Sequence, residues 1–135
     1  MLTCFRFDGA FPQFEVSADD DGFRRFAEVI KGASGSLDSS TVIGDTADAA
    51  RVASPATDVS SVRVLESENS LVQILYADEV NELRISGGRE YLRILAENVA
   101  GLVGVPSGSH QHIEWFEGHF YLDAASTPLV LTKMG

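Results

Sequence analysis

The chain has one cysteine, Cys4, so no disulfide can close within it, and burial in a strand is the expected fate of that thiol. Long hydrophobic runs are missing as well. The longest, Val99 to Val105, falls well short of the ~18 residues that a membrane-spanning helix needs. The opening stretch Met1 to Asp8 alternates and lacks the basic start and apolar run of an export signal. Together these absences set the expectation of a reducing, cytoplasmic location and of no membrane partner.

Basic residues are scarce, 10 against 20 acidic ones, for a net charge of −10. Twelve of the acids and six of the bases precede Asn69, so the excess is spread along the chain and not held in a tail. No Lys/Arg cluster offsets it, and such a surface repels phosphate backbones, which argues against a nucleic-acid partner. The acidity then serves either solubility or complementarity to a basic protein. Nucleophile and metalloprotease motifs are absent too: there is no Gly-x-Ser-x-Gly, no Cys near a His in sequence and no His-Glu-x-x-His. Ser86-Gly87-Gly88 precedes a helix and could hold an anion on exposed N–H groups, but it lacks a P-loop lysine and reads as a strand-to-helix turn.

What is present is enough for one core. A chain of 135 residues, 44% of them hydrophobic, is the size of a single domain, taken as residues 1–135. Leu2 to Phe7 and Gln13 to Val16 read as strands around Asp8-Gly9. Phe23, Phe26, Ala27 and Ile30 then fall on one helical stripe that Gly32 ends. Residues Ala33 to Ser61, rich in Ser, Asp and Ala, read as a long surface loop with one helical turn near Asp45 to Val52, the part of the chain expected to be most mobile. Val62 to Glu66 and Leu71 to Tyr76 are expected to form a hairpin over Ser67 to Ser70. Glu82 to Ile85 is a further strand, Arg89 to Ala100 a helix with Leu92, Leu95, Ala96 and Val99 on one face, and Leu129 to Leu131 a closing strand.

A shift of 69 residues superposes Val16 on Ile85, Ser17 on Ser86, Arg24 on Arg93, Ala27 on Ala96, Glu28 on Glu97 and Gly32 on Gly101 without a gap. The element order is two β-α-β-β units. That order predicts an α+β fold: an antiparallel sheet of about six to seven strands with two helices packed on one face.

Three histidines cluster late. A two-residue turn at Glu117-Gly118 would pair Phe116 with His119, Glu114 with Tyr121 and His112 with Asp123. One face of that hairpin then carries His110, His112, Glu114, Tyr121 and Asp123 with His119 at the tip, while Ile113, Trp115, Phe120 and Leu122 turn toward the helices. This face reads as solvated or partner-binding surface. A His112–Asp123 general-base pair, or a metal held by His110, His112 and Asp123 or Glu114, is the alternative chemistry. A homodimeric module joined through an exposed sheet face or edge is a third reading.

Leu83-Arg84-Ile85-Ser86-Gly87-Gly88 runs into a helix with Leu92, Leu95 and Ala96. Gly108-Ser109-His110-Gln111-His112, the strand to Phe116, and Ser126-Thr127-Pro128-Leu129-Val130-Leu131 follow. From Leu83 to Leu131 this pattern resembles the immunity protein 32 family of bacterial polymorphic toxin systems. The resemblance implies a small α+β protein that binds and neutralises a cognate toxin domain, with no catalysis of its own, and no cofactor or metal is expected. Such proteins are often acidic because many of their toxin partners are basic nucleases. His110 and His112 are then partner contacts or structural residues.

Overall fold

The computed structural model describes residues 1–39 and 56–135. Strands β1 (Leu2–Phe7) and β2 (Gln13–Ala18) form an antiparallel hairpin, and β2 runs into helix α1 (Asp20–Lys31). Asp19 caps that helix by accepting the Gly22 N–H at 2.8 Å, and at its other end the Gly32 N–H donates to the Glu28 carbonyl and the Ala33 N–H to the Ile30 carbonyl. The buried stripe of α1 is Phe23, Phe26, Ala27 and Ile30, as its spacing predicts. Gly22 belongs to the same contact. A Cβ there would stand 2.7 Å from the Ala18 Cβ and press on the Met1 carbonyl, so only glycine lets α1 settle on β2.

The second half repeats this plan. Strand β6 (Gln73–Ala77), a 3-10 turn at Asp78–Val80 and strand β7 (Glu82–Gly87) lead into α2 (Arg89–Ala100), which buries Leu92, Leu95, Ala96 and Val99 and closes on Gly101. Each half also supplies an outer pair: β3 (Ser34–Asp38) and β5 (Ser61–Glu66) from the first, β8 (His110–Ile113) and β9 (Leu129–Lys133) from the second. Strand β4 (Ala56–Asp58) adds to the outer side of β1.

These outer pairs are exchanged. Strand β9 lies parallel to β2 of the first half, and β5 lies parallel to β7 of the second. The result is two mixed sheets, ordered β4-β1-β2-β9-β8 and β3-β5-β7-β6. The fold is α+β, with the single antiparallel sheet replaced by two sheets that share strands across the halves. The registers match. Val16 sits between Cys4 and Leu131, and its counterpart Ile85 between Ile74 and Val64. Phe14, Leu129 and Ile113 form one buried row, and Leu83, Val62 and Leu37 the other. One contiguous core draws on both sheets and both helices.

The expected hairpin of β5 and β6 is not formed, because β7 lies between them. Val62, Val64, Leu83, Ile85 and Ile74 are all fully or nearly fully buried. A strand carrying Leu83 and Ile85 is best placed at the centre, covered from both edges. Residues 67–72 therefore wrap the end of β7, where the Gly88 N–H donates to the Ser70 carbonyl at 2.8 Å. At Gly87 an added Cβ would meet the Val72 Cα at 3.0 Å, so the wrap relies on a bare backbone. The stretch expected as loop over 33–61 instead begins with β3 and ends with β4 and the first residue of β5. Ser and Gly at 34–36 gave no apolar alternation, and β3 is specified mainly by its partner β5, with only Leu37 buried. The helical turn expected near 45–52 lies outside the described residues.

The exchange carries a charge signature. Lys133, the last residue of β9, is 3% exposed and bonds Asp20 at the start of α1, the Leu102 carbonyl at 3.1 Å and the Val105 carbonyl at 3.2 Å. The equivalent contact in the other half has the opposite polarity: Glu66 ends β5 and pairs with Arg89 at the start of α2 at 3.2 Å. Returning β9 to its own half would set Lys133 against Arg89, and returning β5 would set Glu66 against Asp20. The Gly104 N–H, bonded at 2.9 Å, and then the Lys133 ammonium hold the Asp20 carboxyl below its ordinary value of 3.8.

Two outcomes are expected. Lys133→Ala strips the donor from two carbonyls and from Asp20, and should lower stability by about 2 kcal/mol in urea unfolding. Because the Asp20 pKa is lowered by folding, its contribution is present above the ordinary carboxylate range and is lost as the pH falls below about 4. Asp20→Asn should therefore flatten part of the acid loss of stability measured between neutral and acid pH.

Candidate functional site

Strand β9 carries Leu129, Val130 and Leu131 in succession, all buried. So continuous an apolar run fits a strand flanked on both sides. It lies between β2 and β8, with His110 opposite Thr132, His112 opposite Val130 and Ile113 opposite Leu129. This overturns the expected terminal hairpin, in which His112 faced Asp123. The turn at Glu117-Gly118 exists locally, with the His119 N–H bonded to the Phe116 carbonyl at 3.0 Å and Gly118 at φ +89°. The chain after it, however, runs to the other sheet. Leu122 bridges Val72 in parallel, and Asp123 donates its N–H to the Val72 carbonyl at 2.8 Å.

The six expected surface residues therefore separate. His110, His112 and Glu114 are exposed at one edge of the five-stranded sheet. The two imidazoles stand 5.5 Å apart, ring edge to ring face, on the same side of the strand. The register sets His112 in a row with Val130, Glu15 and Phe5, and His110 in a row with Thr132, Ser17 and Thr3. Tyr121 is instead buried. Its hydroxyl accepts a hydrogen bond from the Asn98 side chain of α2 at 3.0 Å, and burial raises its pKa despite that bond. Asp123 folds back on its own loop, accepting the Ala125 N–H at 2.8 Å.

His119 is the hub of the excursion between β8 and β9. Its Nδ1 accepts the Leu122 N–H at 3.1 Å, which places the ring proton on Nε2. Its ring lies 4.6 Å from both Phe116 and Tyr121. His119 thus ties an exposed loop to a buried tyrosine. The pair of His112 and Asp123 that general-base chemistry required is not assembled. Among the described residues no group of three or more His, Cys, Asp or Glu is placed to hold a metal ion. Cys4, buried and with its thiol pKa pushed up by that burial, is held as a core residue.

What the hairpin expectation missed is an exposed aromatic group. Trp115 is 42% exposed, Phe116 60% and Phe120 68%, where Trp115 and Phe120 were expected to face the helices. Ile113 and Leu122 do turn inward. Phe11, at the tip of the β1–β2 hairpin, is 91% exposed and lines a cleft of about 430 Å³ with Pro12, His112, Glu114, Thr127 and Pro128. Carrying a period of two through Glu117-Gly118 hid this surface. The available signal was the density of aromatics around the turn, Trp115-Phe116 and Phe120-Tyr121, more than one sheet face accommodates.

The family model for Immunity protein 32 matches residues 82–134. That span runs from β7 through α2 and β8 to β9, and so contains the histidine edge and the aromatic loop. Over it the chain is similar to that family. No curated protein and no solved structure matches the chain. Among the described residues, no helix is long and apolar enough to cross a membrane.

The structural and surface roles are separable by mutation. Phe11→Ala and Trp115→Ala should each change unfolding free energy by less than about 0.5 kcal/mol. Tyr121→Phe, which leaves Asn98 without its acceptor, should cost about 1 kcal/mol in the same urea titration.

Proposed function

We propose that this chain is a non-catalytic immunity protein that neutralises a cognate toxin domain by binding it directly. The observation that carries the reading is the family match over 82–134, the span that also presents the exposed aromatics Trp115, Phe116 and Phe120. Large aromatics left in water are unusual outside interaction sites, and they are the residue types that dominate interface energetics. Phe11 and the cleft beside His112 and Glu114 extend the same end of the molecule.

The partner surface in this reading comprises His110, His112 and Glu114 with the aromatic loop. His119, Tyr121 and Asp123 shape that surface and hold it in place. The net charge of −10 favours a basic toxin through long-range attraction, and occlusion of the toxin's working surface requires no metal or cofactor. The place of action in this reading is the cytoplasm.

The test is the toxin domain encoded beside this chain. A stoichiometric complex should form, the toxin's activity should fall with added chain, and association should slow as salt is raised. Trp115→Ala and Phe11→Ala should weaken binding by about 1–2 kcal/mol each at unchanged stability. A toxin that stays fully active in molar excess of the folded chain overturns the reading.

A further inference from the structure

Strand β8 is the outermost strand of the five-stranded sheet, paired only with β9. The ladder fixes which of its backbone groups are used. Lys133 donates its N–H to the Ser109 carbonyl at 2.8 Å, and the Gly108 N–H donates to the Lys133 carbonyl at 2.9 Å. In an antiparallel pair successive residues alternate between facing the partner strand and facing away. Ser109, Gln111 and Ile113 therefore face β9, and His110 and His112 turn their N–H and C=O groups outward. Among the described residues no hydrogen bond reaches those outward groups.

Sheet edges of this kind are ordinarily protected by a lysine, a proline or a charge. β8, His110–Ile113, has none of these. The other edges of the molecule differ. β6 is covered by residues 122–127, through bonds such as the Thr127 N–H to the Ile74 carbonyl at 2.8 Å. β4 spans only three residues, and β3 carries Gly35 and Asp38. Immediately beyond β8 come exposed Glu114, Trp115, Phe116 and Glu117.

The geometry points to strand addition as the mode of binding: an extended segment of the toxin pairs with the outward edge of β8. This rests on the immunity reading and adds the chemistry of the segment. Its backbone would bond His110 and His112. Next to those residues it would carry basic side chains for Glu114 and Glu117, and an apolar one for Trp115 and Phe116. Charge favours this occupant over a second copy of the chain, which would bring −10 against −10.

The experiment uses the full chain and the same neighbouring toxin domain. His112→Pro removes the outward N–H while leaving the bonds to β9, a substitution that edge strands tolerate. His112→Ala removes the imidazole and keeps the N–H. Strand addition predicts that His112→Pro weakens binding about tenfold or more beyond whatever His112→Ala loses with the imidazole, and equal losses in the two variants overturn it. Hydrogen exchange on the unaltered chain gives a second readout, free of any folding defect in the proline variant. The His110 and His112 amides should exchange rapidly alone and become protected in the complex. A complex that forms normally but leaves both amides unprotected overturns strand addition and leaves the immunity reading standing. Absence of any complex overturns both. Protection that grows with the concentration of the chain alone assigns the edge to a second copy and likewise overturns the proposal.

Discussion

Neither half of this molecule can complete its own sheet. The central strands β2 and β7 each have one edge covered by their own hairpin partner, and the other edge is filled by a strand from the opposite half. The parallel pairs β2–β9 and β5–β7 are the contacts on which everything else depends. They bring Leu129 and Leu131 onto Phe14 and Val16, and Val62 and Val64 onto Leu83 and Ile85, merging two small apolar sets into one core. A core divided between the halves would bury a smaller fraction of its surface and be correspondingly marginal. The reversed polarity of the Lys133–Asp20 and Glu66–Arg89 contacts is consistent with that exchange and disfavours its alternative.

The same exchange sets the end of the molecule that carries β8. Because β9 is held in the middle of its sheet, β8 is pushed to the outside, and the chain between them must leave the sheet and return. The segment that leaves cannot bury all of its aromatics. His119 and Tyr121 anchor it from within, Leu122 and the Asp123–Ser126 turn fasten it to the edge of the other sheet, and Trp115, Phe116 and Phe120 remain in water. An exposed aromatic loop beside an uncharged strand edge is thus a topological consequence of where β9 goes.

Electrostatics divides along similar lines. Burial alone would raise the pKa of Glu82, but hydrogen bonds from Arg84 and Ser61 and the charge of Arg63 outweigh it and hold the carboxyl below the usual range. Such pairs neutralise charge where the sheets are covered. Among the described residues Glu82 is the one buried acid, and the others lie where they shape the long-range field around the molecule.

Local pattern determined the helices, their buried faces and their glycine stops, because a 3.6-residue stripe and a cap are specified within one turn of chain. It also marked the 69-residue repeat and the strands with strong apolar alternation, and the family resemblance rested on short motifs of the same local kind. Strand partners were a different matter. A strand states which side is apolar but not which neighbour will cover its edges, so β5 was set beside β6 and β8 beside residues 119–123, the nearest choices in sequence. Only the tertiary structure decided the exchange, since the parallel partners Leu83 and Val62 gain their burial from contacts made at long range. The site followed the same rule. His110 and His112 were legible as one surface face, whereas the separation of His112 from Asp123, the burial of Tyr121 and the exposure of Trp115 and Phe120 all depended on which strand claimed the edge of β8.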